Sequence, residues 1–347
     1  MTPSQKKTVP PAAKFPARAG VILATILALL AAGCASPRLQ PAREPFTSPA
    51  FAGNHIRFAD GYRSPVRRWL PAGKPDRLVL ALHGFNDHSR AFEPLGSYLS
   101  ARGTAVFAYD QRGFGGSPYR GIWPGTDRLV DDAVQAMRAL RVQYPEQPLF
   151  LVGESMGGAV AMLAARGGRP ELSGLVLLAP AVWGRDAMSP FTRAALWLSV
   201  RTMPGRKWTG ESLDIQPTDN LDALRRMARD PLFIKGTRTD ALWGITNLMD
   251  RASAGAGAID ARALVLYGLN DDIIPKPPTC RLLQRLAPRQ NVSVLLYPNG
   301  YHLLLQDRQA GNVLGDIHAW TRQPTPLPQA NYRLSDDAWR SALCGED

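Results

Sequence analysis

Short, continuously apolar runs alternate with stretches of helical spacing, and this rhythm constrains the chain more than any other feature. "RLVLALHGF" (77–85), "TAVFAYD" (104–110), "PLFLVG" (148–153) and "LSGLVLLAP" (172–180) read as strands. Between them, "RAFEPLGSYLSARG" (90–103) reads as a helix ended by Gly103. "TDRLVDDAVQAMRALRVQYP" (126–145) puts Leu129, Val130, Ala133, Met137, Leu140 and Val142 on roughly one face, with Thr126 as its expected cap. Another helix is expected after residue 155. Strands without polar alternation are covered on both faces, so the pattern predicts an α/β fold with a mostly parallel sheet between helical layers. The rhythm stops over residues 183–259, which hold helical stretches and no clear strand. It resumes with "ARALVLYGLND" (261–271), "NVSVLLYPNG" (291–300) and a final helix near 305–322. A short hairpin around "DGYRSP" is expected over 54–70. The expected organisation is one α/β domain over 53–322, interrupted by a helical cap at about 183–259 and followed by a tail, 323–347. A chain of 347 residues with 45% hydrophobic residues has material for such a core.

The first 34 residues follow a different rule. Lys6, Lys7, Lys14 and Arg18 precede an apolar stretch, residues 21–32, too short to span a bilayer and of signal-peptide length. Small residues then lead to Cys34. This resembles a bacterial lipoprotein signal, residues 1–33, with Cys34 lipidated as the mature N-terminus. Ala31 stands where leucine is commoner in such signals. The alternative is an ordinary signal peptide cleaved after "AAGCA". Residues 34–52, rich in Pro and Ser and without periodicity, read as a tether. Lipidation implies a bacterial cell-envelope location, on the periplasmic or outer face, because two or more acyl chains anchor stably. The formal charge of +12 is scattered, with no basic run beyond pairs such as Arg67-Arg68, which argues against a nucleic-acid partner. Cys280 and Cys344 either pair in an oxidising compartment or remain two free thiols.

"LVGESMGGAV" (151–160) carries the chemistry. An apolar strand enters Gly153, Ser155 sits between two glycines, and small residues follow. A serine presented on a sharp strand-to-helix turn needs neighbours without bulk. Its hydroxyl is a weak nucleophile until a base takes the proton. Of the five histidines, only His302 lies just past the C-terminal end of the last strand. His55 is in the hairpin, His83 and His88 bracket an early loop, and His318 is inside the last helix. The base needs an orienting carboxylate. "YGLNDDIIP" offers Asp271 and Asp272, and Asp271 is preferred as the first residue of the pair after the Gly268 turn. The order Ser155, Asp271, His302 is that of α/β-hydrolases. In that architecture the oxyanion donors are the backbone N–H of Met156, after the nucleophile, and that of Phe85 in "HGFND". His83 is expected to be a buried hydrogen-bonding residue.

"ALHGFNDHSRAFEPLGSYLSARG", "FAYDQRGFGGS", "FLVGESMGGAVA" and "LYGLNDDIIP" together resemble the monoacylglycerol lipase and lysophospholipase branch of the serine α/β-hydrolases. The resemblance spans about 53–322 and is weakest in the cap. It implies Ser155 as nucleophile, Asp271 and His302 as its partners, Phe85 and Met156 as oxyanion donors, and a helical cap over the pocket. It implies no metal and no cofactor. Glu154 departs from the branch, which usually carries histidine there, and this leaves fine specificity open.

Trp183, Trp197, Trp208 and Trp243 fall in the cap, with Phe191, Leu196, Leu198 and Val200. They either glue the cap to the body, or form an acyl-chain pocket or membrane-docking lid. The expected activity is hydrolysis of an acyl ester, such as a monoacylglycerol or lysophospholipid, through an acyl-enzyme on Ser155. An aminopeptidase or amidase of the same fold is the alternative, with Asp230, Asp240 or Asp250 as candidates to hold an amine. A non-catalytic envelope lipoprotein is the third reading.

Overall fold

The structure is a computed structural model that describes residues 36–41, 47–167, 172–210, 214–286, 291–322, 327, 330–334 and 338–345. The expected signal segment and Cys34 lie outside the described residues. Strands β1 (Ala50–Ala52), β2 (His55–Arg57) and β3 (Arg63–Trp69) form an antiparallel meander. The run then continues through β4 (Arg77–Leu82), β5 (Thr104–Tyr109), β6 (Leu149–Glu154) and β7 (Gly174–Leu178). After the cap come β10 (Ala263–Gly268) and β11 (Val292–Tyr297). The nine strands lie in the order β1-β2-β3-β5-β4-β6-β7-β10-β11, and every pairing from β5 to β11 is parallel.

The apolar runs have their cause in the layers. Leu78, Leu80 and Leu82 of β4 point to the face of the sheet that carries α2 (Thr126–Gln143), α3 (Met156–Ala164) and, further along the sheet, α7 (Lys276–Leu286). Val79 and Ala81 point to the other, beneath α1 (Glu93–Ser100) and α8 (Ala310–Arg322). Both faces are dry, so no position alternates to polar. Val142 departs from the expected apolar face of α2. It is 86% exposed, one residue before the helix ends. Thr126 does not cap α2 with its side chain. Gly125 is the N-cap at φ 96°, a conformation open to glycine, and Thr126 is the first helical residue.

The cap holds α4 (Pro190–Thr202), α5 (Leu221–Arg229) and α6 (Thr239–Gly255). It also holds a small antiparallel pair, β8 (Lys207–Thr209) and β9 (Gly236–Arg238), where no strand was expected. Three residues per strand are too few to leave a period in the sequence. Leu248, Met249 and Ala252 of α6 join the body's core, whereas α4 buries only Val200. Residues 36–41, expected as free tether, lie along this junction. The Arg38 N–H donates to Asp240 of α6 at 3.1 Å, and the Gln40 side chain donates to the Ile122 carbonyl at 2.9 Å.

Cys280 on α7 and Cys344 on the terminal helix α9 (Trp339–Cys344) are joined in a disulfide, with Cα atoms 5.3 Å apart. The sequence left this open because their separation of 64 residues carries no periodic signal. The bridge closes a segment that contains His302. In the chain-entropy account a loop of that length contributes about 4 kcal/mol.

Candidate active site

Ser155 sits between β6 and α3 at φ 51°, ψ −116°, a strained conformation for a side chain with a Cβ. Backbone bonds hold it there. Its N–H donates to Leu178 at 2.9 Å, and its carbonyl accepts from Ala181 at 2.9 Å. The flanking glycines are steric necessities. A Cβ on Gly157 would meet the Leu82 carbonyl oxygen at 1.9 Å, and one on Gly153 would meet that of Gly157 at 2.4 Å. The turn is therefore tight because two backbones pass through the space that side chains would fill.

His302 and Asp271 are brought together although 31 residues separate them. The Asp271 Oδ2 lies 2.8 Å from His302 Nδ1, and both residues are buried. Oδ1 accepts the Ile273 and Ile274 N–H groups at 2.8 and 2.9 Å, which orients the carboxylate. A carboxylate facing Nδ1 places the ring proton there and leaves the Nε2 lone pair able to accept a proton. Asp272 is exposed and takes no part. The two loops are packed backbone to backbone: a Cβ on Gly268 would meet the Gly300 carbonyl carbon at 2.4 Å. Asp307 fixes the His302 loop by accepting the Tyr301 N–H at 2.8 Å and the Thr218 hydroxyl at 2.6 Å. The sequence reading missed this residue. The Ser155 hydroxyl makes no hydrogen bond to His302 here.

Phe85 and Met156 present the two expected donors. Among the described residues, neither backbone N–H has a protein acceptor. The Phe85 donor is aimed from behind by His83. The buried ring of His83 accepts the Gln111 N–H on Nε2 at 2.8 Å, so the proton sits on Nδ1 and donates to the Gly84 carbonyl at 2.8 Å. The Gly84–Phe85 peptide is trans, so fixing its carbonyl points the Phe85 N–H the opposite way. Burial pushes the His83 pKa down to about 4, which keeps the ring neutral, as this tautomer requires. The loop runs close to Ser155: a Cβ on Gly84 would lie 3.5 Å from that of Ser155, an ordinary contact.

"DQRGFGG" supports the same loop. Asp110 accepts the Ser89 N–H at 2.9 Å and the Gly116 N–H at 2.8 Å. Arg112, buried, pairs with both Asp132 and Asp60 at 2.8 Å. The motif was legible in the sequence, but its role as a support was not.

Glu154 is buried next to Ser155 in the chain, and its Oε1 has no hydrogen-bond partner among the described residues. Burial, with the nearby charges of Asp87 and Asp307, pushes its carboxyl up to about 8. The folded state therefore keeps a proton that the unfolded chain releases, and stability falls as pH rises from about 4.5 to about 8. Glu154→Gln is expected to remove this loss. Thermal unfolding of the variant should match wild type near pH 4 and exceed it at pH 8, by on the order of a few kcal/mol. Equal midpoints at pH 8 would contradict a protonated Glu154.

The family profile described as "Serine aminopeptidase, S33" matches residues 73–309, a stretch that contains the elbow, both oxyanion donors, Asp271 and His302. The human protein named monoglyceride lipase is 28% identical over 296 residues, covering 82% of this chain and 95% of its own. The monoacylglycerol lipase of Mycolicibacterium smegmatis is 27% identical, covering 75% of this chain and 93% of its own. Among solved structures, the monoglyceride lipase of Saccharomyces cerevisiae superposes with a TM-score of 0.67 at 19% identity, over 84% of this chain and all of that one. The monoacylglycerol lipase of Paleococcus ferrophilus gives 0.63 at 24% identity, over 76% and 99%. These two carry the fold. With the profile matching well over half of its length, the chain belongs to the serine aminopeptidase S33 family of α/β-hydrolases.

Proposed function

We propose that this protein is a serine carboxylester hydrolase of acylglycerols or lysolipids. Ser155 attacks the ester carbonyl, and His302 Nε2 takes its proton. The oxyanion is met by the Phe85 and Met156 N–H groups, while Asp271 stabilises the imidazolium. His302 then protonates the leaving alcohol and activates the water that releases the acid.

One observation favours ester over amine-bearing substrates. All three cap aspartates that were candidates for gripping an amine are already engaged. Asp230 lies 3.1 Å from His88, Asp240 lies 2.6 Å from Arg238, and Asp250 is paired with Arg185. The names of the lipase relatives support the same choice. A panel of glycerol esters graded in chain length, run beside aminoacyl arylamides, tests the reading. Turnover is expected on the esters and roughly 100-fold or more below it on the arylamides, because an amine without an acidic partner loses binding that the site must supply. Faster arylamide turnover would overturn the proposal.

The reading extends to a membrane-anchored envelope enzyme. The basic, then apolar, segment ending at Cys34 supports it, and a disulfide suits an oxidising compartment. So does the cap surface, where Phe191 is 82%, Trp197 49% and Leu198 50% exposed, with Arg193 and Arg201 on the same helix. Among the described residues no helix is long and apolar enough to cross a membrane. Mass spectrometry of the mature protein is expected to find Cys34 as a lipidated N-terminus. An unmodified cysteine, or a start beyond it, would remove the anchor.

A further inference from the structure

The loop that carries the Phe85 donor is held by the core on one side and by the cap on the other. The core side is His83, through the Gly84 carbonyl. The cap side is Asn86, the residue directly after Phe85. Asn86 is left-handed, at φ 65°. That twist turns both of its polar groups toward the cap. Its carbonyl accepts the Ile234 N–H at 2.9 Å, and its side-chain amide donates to the Thr237 hydroxyl at 2.6 Å. Ile234 and Thr237 are buried, so water does not readily replace either bond. Two residues further on, His88 contacts Asp230 at 3.1 Å. The loop 86–88 is thus bonded at three points to cap residues 230–237.

The Phe85 ring gives a second line of contact. It packs against Phe114 at 5.6 Å and Trp123 at 6.3 Å between centroids. Trp123 in turn packs against α6 of the cap, where Gly244 leaves it room: a Cβ there would sit 2.5 Å from the indole. The residue whose N–H must meet the oxyanion is therefore braced by the cap through its neighbour's polar groups and through its own ring.

We propose that Asn86 is a positioning residue for catalysis, which transmits the placement of the cap to the Phe85 oxyanion donor through Ile234 and Thr237. A donor acts on the transition state only when it is aimed at the developing charge. The clasp therefore governs kcat rather than substrate affinity, and the cap does more than enclose the acyl chain. The inference rests on the ester-hydrolase reading.

Asn86→Gly keeps access to the left-handed conformation and removes the amide. Thr237→Val keeps the shape and removes the acceptor, whereas Thr237→Ser retains a hydroxyl. The full-length protein is assayed with p-nitrophenyl butyrate and with an alkyl trifluoromethyl ketone. Ser155 adds to that ketone, its proton passes to His302, and the resulting oxyanion occupies the hole. Asn86→Gly and Thr237→Val are each expected to lower kcat roughly tenfold, since misplacement near 1 Å can cost about 100-fold. KM should stay within about twofold, and ketone affinity should fall by the same factor as kcat. The double variant should lose little more than either single one, because both delete the same bond. Thr237→Ser should recover most of the loss. An unchanged kcat in either single variant, a change confined to KM, unchanged ketone affinity, or additive losses would each overturn the proposal. If Asn86→Gly fails to fold, the Thr237→Val and Thr237→Ser comparison decides alone. A wild-type protein inactive on every ester would instead sink the ester-hydrolase reading.

Discussion

Ser155→Ala is expected to abolish labelling by a fluorophosphonate probe and to lower kcat about 10⁵-fold or more. The probe needs an activated hydroxyl. Ser155 is the residue that the strained elbow presents beside two N–H donors without an acceptor among the described residues. The oxyanion donors and the binding surface remain in the variant, so a residual rate above that in water should persist. The fold should be indifferent. The Ser155 backbone bonds to Leu178 and Ala181 do not involve the side chain, and alanine keeps the Cβ. Persistent labelling of the variant would move the nucleophile elsewhere and undo the assignment.

Asp271→Asn carries the second large effect, about 10⁴-fold on kcat with little change in substrate affinity. The reason is directional. Oδ1 of Asp271 accepts two backbone N–H groups, so in asparagine the carbonyl oxygen takes that place. The new NH₂ group then faces His302 Nδ1, where the carboxylate oxygen stood at 2.8 Å. A donor facing Nδ1 forces the ring proton onto Nε2, and the ring can no longer accept from Ser155. Asp272→Asn is the matched control, since that side chain is exposed. Its kcat is expected within about twofold of wild type, as for an ordinary surface substitution. Equal losses in the two variants would mean that the loop as a whole, rather than one carboxylate, orients the base.

The elbow, the parallel sheet and the boundaries of most elements were legible because each is a local consequence of the chain. A buried strand must be continuously apolar, and a strand-to-helix turn through crowded backbone must be glycine. That Asp271 rather than Asp272 faces His302 was legible in the same way, from its position after a turn. The cap was legible only as an interruption. Its two short strands, its ion pairs and its engaged aspartates left no trace, because they depend on partners far away in sequence.

The sequence by itself determined the layered α/β frame, the serine on its turn, and the order in which Ser155, Asp271 and His302 follow one another at strand ends. Periodicity and steric exclusion act over a few residues, so they can be read along the chain. Only the tertiary structure decided how the site is aimed. His83 meets Gln111 across 28 residues, Thr218 meets Asp307 across 89, and Asn86 meets Thr237 across 151. A hydrogen bond needs its partner within about 3 Å and in line. That condition belongs to folded space and leaves no spacing in the sequence.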